Sequence, residues 1–150
     1  MNVPIGDGAF WPNQSLLRRL GITHPIFLAP MAGGPTTPEL VAAVSNAGGL
    51  GQFGATYLPP ETIAAQIAAV RKAAPERPFG LNLFVPEVAP NTENLPRMAA
   101  RLAGYHAELG IDPPRLPNAW SEPFDAQLDV AVRERVPVMS FHFAAPRPDI

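Results

Sequence analysis

Pro25-Ile26-Phe27-Leu28-Ala29-Pro30-Met31-Ala32-Gly33-Gly34, continued by Pro35-Thr36-Thr37-Pro38-Glu39-Leu40 and closed by Ser45-Asn46-Ala47-Gly48-Gly49-Leu50-Gly51, reads as a strand, a loop, a helix and the start of a second strand. Ile26 to Leu28 are apolar and suit a strand buried on both faces. Ala29 to Gly34 are small and flexible and fall at that strand's carboxyl end, where α/β proteins place their chemistry. A flat cofactor has room there. Thr37 suits a helix cap, with Pro38 and Glu39 in the first turn, Leu40, Val41, Val44 and Ala47 as an apolar stripe, and Gly48 as a stop.

The alternation continues outward from this stretch. Leu50 to Ala55 reads as a second strand, and Pro59-Pro60-Glu61 opens a helix with Ile63, Ile67 and Val70 on one face, ended by Pro75. Phe79 to Val85 is a third strand. Leu95, Ala99, Leu102 and Leu109 mark a helix running to Gly110, which the proline-rich segment after Asp112 breaks. Trp120, Phe124 and Leu128 recur at helical spacing ahead of a fourth strand from Val136 to Phe143. Strands alternating with helices predict an α/β fold with a parallel sheet. The 20 prolines fit short elements and many loops rather than a helical solenoid. With no internal repeat and no composition break, a single domain is the simplest organisation.

Composition narrows the function classes. The chain has 150 residues, 47% of them hydrophobic, and a formal net charge of -2, so no basic field exists to hold nucleic acid or an anionic membrane. The absence of cysteine excludes a disulfide frame, a thiolate nucleophile and cysteine-bound metal. His24, His106 and His142 share no metal-ligand spacing and have no paired acidic ligands, so no metal is expected. No apolar run approaches the roughly 20 residues of a membrane-spanning helix. The start, Met1 to Asp7, lacks signal character, and the expected location is cytoplasmic.

Side chains alternate sides along a strand. In the fourth strand Val138, Ser140 and His142 therefore share one face, and the bulky Met139, Phe141 and Phe143 share the face toward the helices. His142 is expected to point inward near the carboxyl end, as an active-site group or as a histidine bonded to a neighbouring loop. In the third strand Gly80, Asn82 and Phe84 oppose an apolar ridge of Phe79, Leu81, Leu83 and Val85. Asn82 is the odd polar residue inside, and its amide needs partners from a bound ring edge or from a neighbouring strand end. At Ala29-Pro30-Met31, small side chains and a fixed proline φ let backbone groups approach a planar ring, with Met31 as a polarisable contact. Tyr105 and Trp120 are expected in packing roles. Ser45, Ser121 and Ser140 lack a nucleophile-elbow context. Gly49-Leu50-Gly51-Gln52-Phe53-Gly54 matches G-x-G-x-x-G letter for letter, but it follows a helix and leads into a strand, the reverse of what phosphate binding at a helix amino terminus requires. These glycines instead end a helix and allow tight packing.

Taken in order, the block from Pro25 to Gly51, the block Pro78-Phe79-Gly80-Leu81-Asn82-Leu83-Phe84-Val85, and Ser140-Phe141-His142-Phe143 resemble the nitronate monooxygenases, over a span from about Leu16 to Pro146. The resemblance implies an FMN-dependent TIM barrel. A complete barrel needs roughly 200 to 250 residues, so residues 1 to 150 correspond to the first half of a (β/α)8 domain. It further implies that Ala29, Pro30, Met31 and Asn82 line the FMN ring and that His142 borders the substrate. The family's catalytic histidine, in a Gly-Gly-His segment, and its glycine-rich phosphate loops correspond to positions past Ile150. The implied reaction consumes an alkyl nitronate and oxygen and yields a carbonyl compound and nitrite. Two alternatives remain open: an NAD(P)H-dependent flavin reductase of the same barrel type, acting on a quinone or an enoyl thioester, and an inactive truncated half-barrel. Alone, 150 residues are expected to be inactive, and open barrel edges invite self-association.

Overall fold

The glycines and prolines that punctuate the sequence fall at element boundaries in the computed structural model, which describes residues 14–86, 92–113, 115 and 122–147. The elements are α1 (Ser15–Leu20), α2 (Pro38–Asn46), β1 (Gly51–Gly54), α3 (Pro60–Ala73), β2 (Phe79–Phe84), α4 (Leu95–Leu109), α5 (Phe124–Arg133) and β3 (Val138–His142). The strands form a parallel sheet in the order β1-β2-β3. Gln52 lies level with Gly80 and Val138, Gly54 with Asn82 and Ser140, and Phe84 with His142. The expected parallel α/β architecture is therefore present, as an open sheet.

The first expected strand is much reduced. Ile26 to Leu28 contribute one parallel bridge, Phe27 to Leu50, closed by Leu50 N–H to Ile26 C=O and Leu28 N–H to Leu50 C=O, both 2.9 Å. Burial on both faces does not hold, since Ile26 is 62% exposed. Among the described residues this segment has a strand neighbour on one side alone, and at Pro30 the chain loses an amide with which to continue the ladder.

The core lies between the sheet and the helices. Phe53 of β1 and Leu81 and Leu83 of β2 meet Val41 of α2, Ile63, Ile67 and Val70 of α3, and Leu128 of α5. Full burial of each such side chain contributes about 1.5–3 kcal/mol. Met139 and Phe141 of β3 pack on the same cluster, as their alternation requires. A second cluster of Leu17, Ile22, Leu50 and Val138 joins α1 to the other face of the strands.

Three helical expectations change in detail. In α2, Thr37 caps as expected, its hydroxyl accepting from Leu40 N–H at 3.3 Å, but the buried face is Val41, Ala42 and Ser45. Leu40 and Ala47 face outward. The reason is the approach of β1: a Cβ on Gly51 would sit 2.1 Å from the Val41 carbonyl oxygen and 2.8 Å from Ser45 Oγ, so the strand lies directly against the Val41 and Ser45 side of the helix. Those glycines do serve packing, and Gly51 N–H donates to Ser45 Oγ at 3.2 Å. In α4 no residue is buried, so the stripe of Leu95, Ala99, Leu102 and Leu109 is not a core face, and Tyr105 is exposed rather than packed. It is α5 that lies on α3 and β2 and occupies the place expected of the crossover helix. Trp120 lies outside the described residues.

Candidate active site

Polar side chains gather in one row across the inner face of the sheet. Asn82 Nδ2 donates to Ser140 Oγ at 3.0 Å, Ser140 Oγ donates to Gln52 Oε1 at 3.3 Å, and Gln52 Nε2 reaches the Leu28 carbonyl at 3.4 Å. The row spans β3, β2 and β1 to the Leu28 segment. It crosses Gly80, where a Cβ would fall 2.7 Å from Gln52 Cγ. Asn82 thus ties two strand ends together, one of the two roles open to it from the sequence. Its Oδ1 accepts from no described residue. Gln52 was not singled out in the sequence, although the alternation that selects Asn82 also places Gln52 beside Leu50 and Gly54 on the inner face.

The loop from Ala29 to Gly34 closes over the end of β1. Thr36, buried and also unremarked in the sequence, donates its hydroxyl to the Met31 carbonyl at 3.0 Å and accepts from Gly54 N–H at 3.4 Å. A Cβ on Gly54 would lie 2.6 Å from Ala32 N, so the loop runs directly across that glycine. Ala29 and Met31 are exposed and Pro30 is half-buried. The loop therefore presents a small apolar edge at the carboxyl ends of the strands, beside the polar row.

His142 ends β3 on the face of Ser140, exposed, with its ring 5.5 Å from Phe84 and 4.5 Å from Phe143. It does not join the polar row. Phe143 leaves the expected alternation: at φ 73° the backbone turns left-handed, and its ring swings away from Met139 and Phe141 to meet Phe84 edge-on at 4.9 Å. Ser140 Oγ is engaged with the Asn82 and Gln52 amides and is not hydrogen-bonded to His142, so it is not arranged as a nucleophile. Among the described residues, no group of three or more His, Asp or Glu is placed to hold a metal ion. No helix among them is long and apolar enough to cross a membrane.

Parallel βα units with a polar row and a small-residue loop at the carboxyl ends of the strands define a section of an α/β barrel, at the end where enzymes of that architecture work. A family model described as nitronate monooxygenase matches residues 14–150. The chain belongs to the nitronate monooxygenase family. It is 38% identical over 141 residues to a probable nitronate monooxygenase of Staphylococcus haemolyticus (strain JCSC1435), and 36% identical over 141 residues to one of Staphylococcus aureus (strain MRSA252). Each match covers 93% of this chain and 39% of the relative, so the chain spans about two fifths of their length. Among solved structures, nitroalkane oxidase from Streptomyces ansochromogenes superposes with a TM-score of 0.78 at 38% identity, over 90% of this chain and 38% of that one. FabK from Thermotoga maritima follows with a TM-score of 0.56 at 29% identity, over 84% of this chain and 29% of that one. The fold is thus that of a partial barrel.

Proposed function

We propose that residues 1 to 150 are the amino-terminal part of a single FMN-binding barrel whose reaction is the oxidation of alkyl nitronates by oxygen to a carbonyl compound and nitrite. The observation that carries this reading is the carboxyl-end arrangement, in a member of this family, of an asparagine with a free acceptor beside an exposed, small-residue loop. Asn82 is buried, its Nδ2 is committed to Ser140, and its Oδ1 is left to accept from a ring N–H. Ala29, Pro30 and Met31 supply a flat apolar edge without bulk, pinned by Thr36. These features fit a planar heterocycle with a polar rim, and Ala29, Pro30, Met31 and Asn82 are the residues that hold it. When bound, FMN supplies the redox chemistry, accepting electrons from the nitronate and passing them to oxygen. His142, exposed at the end of β3, borders the substrate side. The Ser140 and Gln52 hydrogen bonds fix the Asn82 amide so that the ring meets a preorganised acceptor.

The test is a flavin spectrum of the full-length protein, together with nitrite release from a nitroalkane and from its nitronate. A yellow protein that forms nitrite from the nitronate is expected; a colourless one counts against the proposal. The likeness to FabK, at lower TM-score, goes with a second reading, an NAD(P)H-dependent flavin reductase. Rapid anaerobic bleaching by NAD(P)H without nitronate turnover would favour it. The open edges of the parallel sheet also make self-association a proposed property of the isolated chain, measurable by sizing.

A further inference from the structure

The polar row of Gln52, Ser140 and Asn82 can run in two directions, and only one of them leaves an acceptor at the site. A hydroxyl has one proton to give, and an amide presents donors at one end and an acceptor at the other. If Ser140 gave its proton to Asn82, the amide would turn Nδ2 toward the site. If Ser140 gives it to Gln52, Asn82 turns Oδ1 there instead. The choice is made at the opposite end of the row.

The Leu28 carbonyl can only accept. The Gln52 atom that faces it at 3.4 Å is therefore Nε2, and this turns Oε1 toward Ser140. Oε1 can only accept in turn, so it takes the Ser140 proton at 3.3 Å. Ser140 Oγ is left with lone pairs for Asn82, which must present Nδ2, at 3.0 Å. One backbone carbonyl thus fixes three polar groups in sequence, and the last of them keeps Oδ1 for the site.

The fold reserves space for this arrangement. Gln52 lies level with Gly80, two residues short of Asn82 and Ser140 in the parallel register. A Cβ on Gly80 would fall 2.7 Å from Gln52 Cγ and 3.0 Å from its Oε1. Gln52 and Asn82 are both buried, and among the described residues no buried side-chain nitrogen or oxygen lacks a partner. Inward positions of barrel strands are filled mostly by branched apolar side chains. A buried glutamine at such a position, with a glycine beside it, is suited to polar positioning rather than to filling volume.

We propose that Gln52 is a positioning residue of the site: through the Ser140 hydroxyl it holds the Asn82 amide with its acceptor, not its donor, toward the ligand. This rests on the FMN reading above for the identity of the ligand and adds the residue that sets the polarity of its contact.

The experiment uses the full-length protein and two readouts. One is FMN affinity by fluorescence titration; the other, in flavin-free protein, is the nuclear Overhauser contact between the Asn82 amide protons and the Ser140 Cβ protons, assigned with Asn82→Leu. The wild-type protein should show the contact. Gln52→Leu removes the acceptor for the Ser140 proton, so the hydroxyl turns to Asn82 Oδ1 and the amide rotates. The contact should be lost and FMN binding should weaken on the order of tenfold. Gly80→Ala crowds Gln52 without altering it and should do the same, which keeps the test open if Gln52→Leu does not fold. Gln52→Glu keeps an acceptor for Ser140 but sets a carboxylate against the Leu28 carbonyl. It should lose stability and yet keep the contact and bind FMN within about twofold of wild type. A residue that only packs predicts the opposite order, since leucine fills the space and a buried carboxylate does not belong there. An FMN loss in Gln52→Glu as large as in Gln52→Leu, or an unchanged contact and affinity in Gln52→Leu and Gly80→Ala, would overturn the inference. If the wild-type protein takes up no FMN while the contact follows the variants as stated, the positioning role stands and the flavin reading falls.

Discussion

Replacing Gln127 by leucine tests whether one buried amide fixes the β1–α3 loop. Gln127 is 2% exposed, and its Nε2 faces three carbonyl oxygens. Ala55 C=O keeps a second donor, Leu58 N–H at 2.8 Å, whereas Thr56 C=O and Leu58 C=O have no other backbone donor among the described residues. Leaving a buried acceptor unpaired costs about 1–3 kcal/mol. Two such groups, one of them beside half-buried Leu58, therefore cost about 4 kcal/mol, and the gain from burying leucine in place of an amide offsets about 1 kcal/mol of this. Gln127→Leu should lose about 3 kcal/mol, read as a lowered urea midpoint at unchanged m-value. Gln127→Glu adds a sign. A carboxylate facing only carbonyl oxygens has its folded pKa raised, so the variant should be least impaired below the unfolded glutamate value of about 4.3 and should lose stability as pH rises from there toward the folded value. A loss under about 1 kcal/mol for Gln127→Leu, or a flat pH profile for Gln127→Glu, would refute the assignment of Gln127 as the loop's anchor.

Three further substitutions follow from the same contacts. Gly51→Ala places a Cβ 2.1 Å from the Val41 carbonyl oxygen, so β1 or α2 must move; a loss of 3 kcal/mol or more, or failure to fold, is expected by denaturant titration (roughly the upper range for overpacking). Gly80→Ala meets the flexible Gln52 side chain at 2.7 Å; it should cost only about 1 kcal/mol while breaking the Ser140 to Gln52 bond, visible as a shifted Gln52 side-chain amide signal by NMR. Thr37→Ala should cost about 1 kcal/mol through loss of the α2 cap. The Glu39 carboxyl is held below its ordinary value first by a backbone hydrogen bond and then by the Thr37 hydroxyl. Its small contribution is present above that ordinary value and is lost as pH falls through the lowered one. In Thr37→Ala the carboxylate should titrate at higher pH by 13C NMR, and an unmoved titration would contradict the contact.

The βα alternation was legible because its signals are local. Thr37 before Pro38 marks a cap, Ile63, Ile67 and Val70 recur at helical spacing and are fully buried, and the apolar ridge of Phe79, Leu81 and Leu83 lies in the core. What failed depends on neighbours that periodicity does not encode. The apolar stripe of α4 resembles that of α3, yet α5 takes the place against the sheet; both helices are amphipathic, and the choice between them is tertiary. Ile26 carries the composition of an interior strand, but its burial requires a partner on each side. At the site, Asn82 and His142 stood out because a polar residue on an inward strand position is conspicuous, and Gln52 met the same test. Thr36 gave no such signal, since its role comes from the loop folding back over Gly54. The turn at Phe143 was hidden because nothing in Phe-His-Phe specifies a positive φ.

FMN affinity of the full-length protein and of its Asn82→Leu variant tests the central claim most directly, with nitrite release from ethyl nitronate followed in the same samples. The wild-type protein should bind FMN and form nitrite, and Asn82→Leu, which removes both the free Oδ1 acceptor and the bond to Ser140, should weaken FMN binding on the order of tenfold. A protein that takes up no FMN, or a variant that binds it as tightly as wild type, would contradict the placement of the flavin against Asn82.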